Sequence, residues 1–350
     1  MQLLDFCQHP IIQAPMAGGA TTPELVAAVS NAGAIGALAA PLLSPAAIVE
    51  QAERIRALTD KPFIINLFVQ GTPSPSEAEV KSAMELLRPI WEPLGWESLP
   101  LPAKWCEDFQ SQLQAVIDVR PAIVSFTFGI LMKEQVELLH EAGIFVMGTA
   151  TNVAEARAWE AVGADAVCAQ GIEAGGHRGT FIGSQCEGYG TMVLVPAIAD
   201  AVRIPVVAAG GIMDGRGIAA ALALGAQAAQ LGTAFLTTDE AGIHPIYKER
   251  LLEASHAPVR SLTTLTRSFS GRYARGLVNR FIDAMRAVEP QVPAYPVQNA
   301  LTGVIRAQAG KINESELMSL WAGQGVAMVR SMPARRLVET LVTEWRNASI

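Results

Sequence analysis

The stretch QGIEAGGHRGTF at 170–181 holds one imidazole, His177, in a frame of glycines. An imidazole with an ordinary pKa of about 6.5 can accept a proton, give one up or donate a hydrogen bond near neutral pH. Gly175 and Gly176 carry no side chain to keep a ligand off the backbone, and the glycine frame places His177 on a loop rather than on a buried face. A lone histidine can equally be a satisfied structural residue. A position at a strand end is what turns the reading toward a catalytic or substrate-binding group.

Two further strings suit an anion. AAGGIMDGRG at 208–217 and QLGTAF at 230–235 bring Gly210, Gly211 and Gly232, whose N–H groups can point into one concavity. The Thr233 hydroxyl and a helix N-terminus can add donors, so a phosphate dianion is held without Lys or Arg. Glycine turns needed only for packing are the alternative, but both loops show the feature at once. PMAGG at 15–19 is a small-residue turn through which backbone amides and the soft side chain of Met16, flanked by Pro15 and Ala17, can approach a flat ligand. Asn66 and Gln170 each offer the donor and acceptor pair that reads a pyrimidine-like edge, and the Ser125 hydroxyl can face the same space. Each of these three has a bland reading as a satisfied interior residue.

Short apolar runs begin near Ile11, Ala34, Phe63, Ile123, Ile144, Ala166, Val206 and Ala228, and helical patterns at 23–33, 133–143, 152–163 and 215–225 each end at a glycine. Strand, helix and glycine in alternation demand parallel strands with right-handed crossovers, and eight strands close naturally into a (β/α)₈ barrel of the TIM type. An open doubly wound sheet fits the pattern too, but its G-x-G-x-x-G after the first strand is missing. The groups above then fall on loops after strands, where barrels build their active sites; the seventh and eighth loops are the usual phosphate site.

The barrel is expected over 1–235. A proline- and tryptophan-rich excursion at 71–109 breaks the rhythm as a lid or flank, and a smaller, mainly helical substrate-covering region follows at 236–333. A last helix pattern within 334–350 is expected to pack back on the barrel.

Composition narrows the function classes. The net charge of −7 without a Lys/Arg-rich run argues against a nucleic-acid surface. The stretch Leu25–Val49 is broken by Gly33, Gly36, Pro41 and Pro45, so no membrane span is expected. The start MQLLDFCQHP lacks the basic and apolar segments of a secretory signal, which makes the cytosol the default location. Cys7, Cys106, Cys168 and Cys186 show no C-x-x-C spacing and the five histidines no paired spacing, so reduced thiols and no metal are expected. Oligomeric state is not legible.

Taken together, QAPMAGG at 13–19, NLF at 66–68, VSFTFG at 124–129, QGIEAGGHRG at 170–179, AAGGI at 208–212 and QLGT at 230–233 resemble nitronate monooxygenases of bacterial class I, formerly called 2-nitropropane dioxygenases. The resemblance continues through SGRYARGLVNRF at 270–281, YPVQNALT at 295–302 and LWAGQG at 320–325 and covers nearly the whole chain. It implies FMN as cofactor. Asn66, Gln170, Gly175, Gly211 and the run Gln230, Leu231, Gly232, Thr233 match its binding positions, with Pro15, Met16 and Ala17 against the isoalloxazine. His177 matches the active-site histidine, as proton acceptor or as hydrogen-bond donor, and Tyr295, Gln298 and Gln324 are implied to face the substrate. The implied reaction oxidises a small alkyl nitronate such as propionate 3-nitronate with O₂ to a carbonyl compound and nitrite. The nearest rival is an NAD(P)H-dependent flavin reductase of the same superfamily, either an enoyl-acyl-carrier-protein reductase or a quinone reductase; a more distant one is a non-catalytic phosphate-binding barrel.

Overall fold

Runs such as FIINLF at 63–68 are apolar without strict alternation because strands in a parallel sheet are covered on both faces. A computed structural model describes residues 2–256 and 263–348 of the chain. Residues 257–262 of the expected second region and 349–350 of the expected C-terminal segment lie outside the described residues. In chain order the strands are β1 (Ile11–Gln13), β2 (Gly36–Ala39), β3 (Phe63–Phe68), β4 (Ile123–Thr127), β5 (Phe145–Ala150), β6 (Ala166–Gln170), β7 (Gly176–His177), β8 (Val206–Ala209), β9 (Ala228–Leu231), β10 (Thr263–Thr266) and β11 (Ala274–Leu277). Eight of them form one parallel sheet in the order β1-β9-β8-β6-β5-β4-β3-β2. A bridge between Ile12 and Ile35 joins the two ends of that order, so the open-sheet alternative gives way to a (β/α)₈ barrel.

The period of two decides which side chains fill the barrel. Ile12, Ile64, Met147 and Cys168 point inward, and Leu3 of the N-terminal turn Leu3–Phe6 joins them. The neighbouring Ile11, Ile65, Val146 and Val167 point outward beneath the helices. Phe6 meets Phe145 edge-on at 5.4 Å, so the turn plugs the end where the strands begin and leaves the other end for the site. The helices predicted at four places are present, and the glycines that end them, Gly33, Gly143, Gly163 and Gly225, all have positive φ.

The excursion at 71–109 forms short helices at Glu77–Leu86 and Arg88–Trp91. Its buried Ile90, Trp91 and Leu99 share a second core with Phe269, Phe281 and Leu301 of the second region. That region carries the helices Pro245–His256, Arg280–Met285 and Val297–Lys311, but helices take up less than half of it; β10 and β11 form an antiparallel hairpin, and β11 pairs with β7. The sequence pattern did not signal this three-stranded sheet. The helix Ala334–Ala348 buries Leu337, Val338, Leu341 and Val342 against the barrel. Its approach to the helix Gly215–Ala223 is so close that a Cβ on Gly215 would stand 2.1 Å from the Trp345 amide nitrogen. Among the described residues, no helix is long and apolar enough to cross a membrane.

Candidate active site

A cavity of about 490 Å³ opens at the C-terminal ends of the barrel strands and is covered by the second region. Pro15, Met16 and Ala17 line it from the first loop, Asn66 from β3, Ser125 from β4 and Gln170 from β6. Gly175, Gly176, His177, Gly210, Gly211, Gln230, Gly232, Thr233 and Tyr295 line it as well. Three of the predicted residues do not. Leu231 is buried in the barrel wall, where its carbonyl receives the Ala14 N–H at 2.8 Å. Gln298 is fully buried in the second region and donates to the Ser268 carbonyl at 2.7 Å. The Gln324 side chain is exposed; its neighbours Gly323 and Gly325 line the cavity instead.

The glycine cradle is tighter than the sequence suggested. A Cβ on Gly175 would lie 2.5 Å from the Gly323 nitrogen, and one on Gly325 would lie 2.5 Å from Met213 Cγ. The Gly323 N–H donates to Thr233 Oγ1 at 2.9 Å, which leaves the hydroxyl proton of Thr233 for a ligand. Asp214 caps the helix Gly215–Ala223 by accepting from the Arg216 and Gly217 amides, whereas the short helix Thr233–Leu236 begins at the cavity wall with no side-chain cap on its N-terminus.

The three amide side chains differ in what they leave open. Asn66 spends its NH₂ on Ser125 Oγ at 3.0 Å and the Ser125 carbonyl at 3.2 Å. Gln170 donates to the His177 carbonyl at 3.0 Å and accepts from the Gly179 N–H at 2.8 Å, so it braces the histidine segment. Gln230 makes only a weak contact to Cys168 Sγ, and its buried Oε1 has no partner. An orphaned acceptor in the wall of a cavity calls for a ligand N–H. The ring edge of a flavin supplies one, and with the cradle this is a fit between the residues present and that cofactor.

His177 lies in the short strand β7, opposite Ala274 of β11, and not on the free loop its glycines implied. Gly176 makes the turn into this strand with φ of 72°, and the pairing fixes the backbone. Arg178, fully buried, donates to the Gly171 carbonyl at 2.7 Å, and Arg272 donates to the Arg178 carbonyl at 2.9 Å. Glu155 completes the brace by accepting from the Phe181 and Ile182 amides. The imidazole Nε2 meets Ser270 Oγ at 2.9 Å. Around the ring stand Phe128, Trp321 and Tyr295, with centroids 5.4, 5.5 and 5.6 Å away. Phe128 takes the left-handed φ of 82°, which costs a bulky side chain energy. Its ring is held between Phe68 at 4.0 Å and the Arg272 guanidinium at 4.1 Å.

Burial in this box, followed by the nearby charges of Arg272 and Arg306, pushes the His177 pKa down to about 3. The imidazole is therefore neutral near pH 7. Burial also lowers both arginines, to about 10, and they stay cationic. Among the described residues, no carboxylate forms a salt bridge with either, and Glu155 acts on Arg272 only through its field. Arg306 lines the cavity from the helix Val297–Lys311, bonded to the Asn299 carbonyl at 2.8 Å and its Oδ1 at 2.9 Å, while its buried Nε has no partner. The reading of residue types missed Arg306. A signal was present: Asn299, Gly303 and Arg306 follow Tyr295 at intervals of four, four and three, which keeps one helix face toward the cavity.

The nitronate monooxygenase family model matches residues 1–344. A probable nitronate monooxygenase of Staphylococcus haemolyticus is 43% identical over 340 residues, covering 96% of this chain and 94% of that protein. Among solved structures, the nitroalkane oxidase from Streptomyces ansochromogenes is 44% identical with a TM-score of 0.90, covering 99% of this chain and 98% of that one. FabK from Thermotoga maritima is 31% identical with a TM-score of 0.76, covering 98% and 94%. The chain belongs to the nitronate monooxygenase family and is a flavin-dependent oxidoreductase.

Proposed function

We propose that the chain oxidises small alkyl nitronates, such as propionate 3-nitronate, with O₂ to a carbonyl compound and nitrite, using FMN. The observation that carries this reading is a neutral imidazole in an aromatic box beside Arg306, a cation that lines the cavity and, among the described residues, has no carboxylate in salt-bridge contact. A buried uncompensated guanidinium is costly, and an anion entering beside it restores the balance. The amides of Gly210, Gly211 and Gly232 with the Thr233 hydroxyl would hold the FMN phosphate. Gln230 Oε1 and Asn66 Oδ1 would face the ring edge, and Pro15, Met16 and Ala17 would lie against the ring. The bound flavin supplies the electron acceptor that O₂ then reoxidises.

The protein's own groups do the rest. Arg306 attracts the anion, Arg272 adds to the positive field from behind the Phe128 ring, Tyr295, Phe128 and Trp321 exclude water around the substrate, and Gln170 holds the His177 segment in register. Toward a nitronate no proton has to move. Toward a neutral nitroalkane, the substrate class named for the Streptomyces relative, His177 is the group placed to remove the proton beside the nitro group. The test is product analysis: aerobic turnover of propionate 3-nitronate should release nitrite in step with O₂ uptake, and the released cofactor should have the mass of FMN. Turnover without nitrite would remove the assignment. Arg306→Met should keep its flavin and lose about tenfold in kcat/KM for the nitronate, the worth of one hydrogen bond to a charged group. An unchanged kcat/KM would take Arg306 out of the site.

A further inference from the structure

We propose that Ser270 is a positioning residue that fixes the tautomer of His177, leaving Nδ1 as the bare nitrogen that meets the substrate. The inference rests on the proposed reaction and concerns how the histidine takes part in it. Ser270 lies in SGRYARGLVNRF, is fully buried and lies outside the cavity lining. Its Oγ is 2.9 Å from the Arg272 carbonyl oxygen, 2.9 Å from His177 Nε2 and 3.3 Å from the Arg272 amide nitrogen.

Counting protons decides the arrangement. Two oxygens 2.9 Å apart repel unless a proton lies between them, and a carbonyl has none to give. The single hydroxyl proton of Ser270 therefore points at the Arg272 carbonyl. The contact with His177 must then be filled by a proton on Nε2, donated to Ser270 Oγ. A neutral imidazole carries only one N–H, so Nδ1 holds a lone pair. Turning the hydroxyl toward Nε2 instead would leave the Oγ···O contact with no proton in it.

The turn that carries Ser270 is built to hold this geometry. Gly271 has φ of 79°, and a Cβ there would stand 2.1 Å from the Pro293 carbonyl oxygen. Gln298 grips the Ser268 carbonyl at 2.7 Å, and Thr302 grips the Phe269 carbonyl at 2.5 Å. This gives Gln298 a task other than facing the substrate: it steadies the turn behind the histidine.

A bare Nδ1 accepts; it does not donate. With a neutral nitroalkane, the C–H bond beside the nitro group breaks, its electron pair stays on the substrate as the nitronate, and the proton forms a bond to Nδ1. The new nitronate charge offsets the imidazolium, and the proton leaves to solvent when product departs. With a preformed nitronate this step is absent. His177 then contributes little, and Arg306 carries the anion.

The FMN-loaded enzyme and its Ser270→Ala variant should be compared on nitroethane and on ethyl nitronate at one pH. Loss of the orienting partner should lower kcat/KM for the neutral nitroalkane about tenfold or more and change that for the nitronate less than about twofold. Nitrogen-15 NMR of labelled histidine in the unaltered enzyme, with His177→Ala to assign the signal, should find the proton on Nε2. A proton on Nδ1, equal losses on both substrates, or turnover of ethyl nitronate without turnover of nitroethane by the unaltered enzyme overturns the proposal. Failure of the functional reading looks different: neither substrate reduces the flavin, while the NMR still finds the proton on Nε2.

Discussion

His177→Ala should purify with its flavin and lose about 10²-fold or more in kcat/KM for a neutral nitroalkane, the usual worth of a positioned proton acceptor. Flavin retention is expected because the segment is held through its backbone. Gln170 grips the His177 carbonyl, and β7 pairs with β11 by main-chain bonds; alanine keeps both. Preformed nitronate should be oxidised by the variant with a loss of less than about tenfold, since no proton is transferred. In the unaltered enzyme, the nitronate kcat/KM should show no titration near pH 6.5, because burial and the two arginines have moved the histidine down to about 3. A rise or fall with a midpoint near 6.5 that disappears in the variant would show the imidazole to be ordinary. Loss of flavin from a folded His177→Ala protein would assign the side chain to the cofactor.

Gly211→Val should yield folded protein that is nearly free of flavin. Gly211 has φ of 72°, where a residue with a Cβ pays about 1–2 kcal/mol and a β-branched one more. The new Cβ would also stand 3.2 Å from Glu173 Cβ, so relief comes only by moving the loop away from Glu173 or into the cradle. Either movement takes amide donors off the phosphate, and each loss of about 1.4 kcal/mol is tenfold in Kd. The flavin-to-protein ratio from absorbance, with circular dichroism to confirm folding, reads the outcome. A folded variant with full occupancy would remove Gly211 from the cofactor site.

The parts legible in the sequence are those written by local pattern. Strand starts, helix periods and the glycines at helix ends are short-range signals, and they located the barrel and the mouth that holds the site. The paired glycine loops were legible for the same reason, since two turns after consecutive strands must face one space. What stayed hidden depends on direction or on distant partners. An amide side chain does not announce which way it points: Gln170 lines the cavity while bracing a backbone, Gln298 steadies a turn, and Gln324 faces outward with only its N–H bound, to the Glu173 carbonyl. TTLT at 263–266 and ARGL at 274–277 are too short and too mixed to read as a hairpin, and the pairing of ARGL with Gly176 and His177 spans nearly a hundred residues. Arg306 looked like any surface arginine on a polar helix. Its burial becomes visible only once the helix is seated over the barrel.

The central claim, that the flavin site takes electrons from a nitronate, meets its most direct test without oxygen. FMN-loaded protein mixed anaerobically with propionate 3-nitronate should lose its flavin absorbance rapidly, and admission of air should restore it with release of nitrite. NADH or NADPH under the same conditions should leave the spectrum nearly unchanged, since the chain lacks a dinucleotide fingerprint after its first strand. Rapid bleaching by NAD(P)H with no response to the nitronate would contradict the account and place the protein with the flavin reductases.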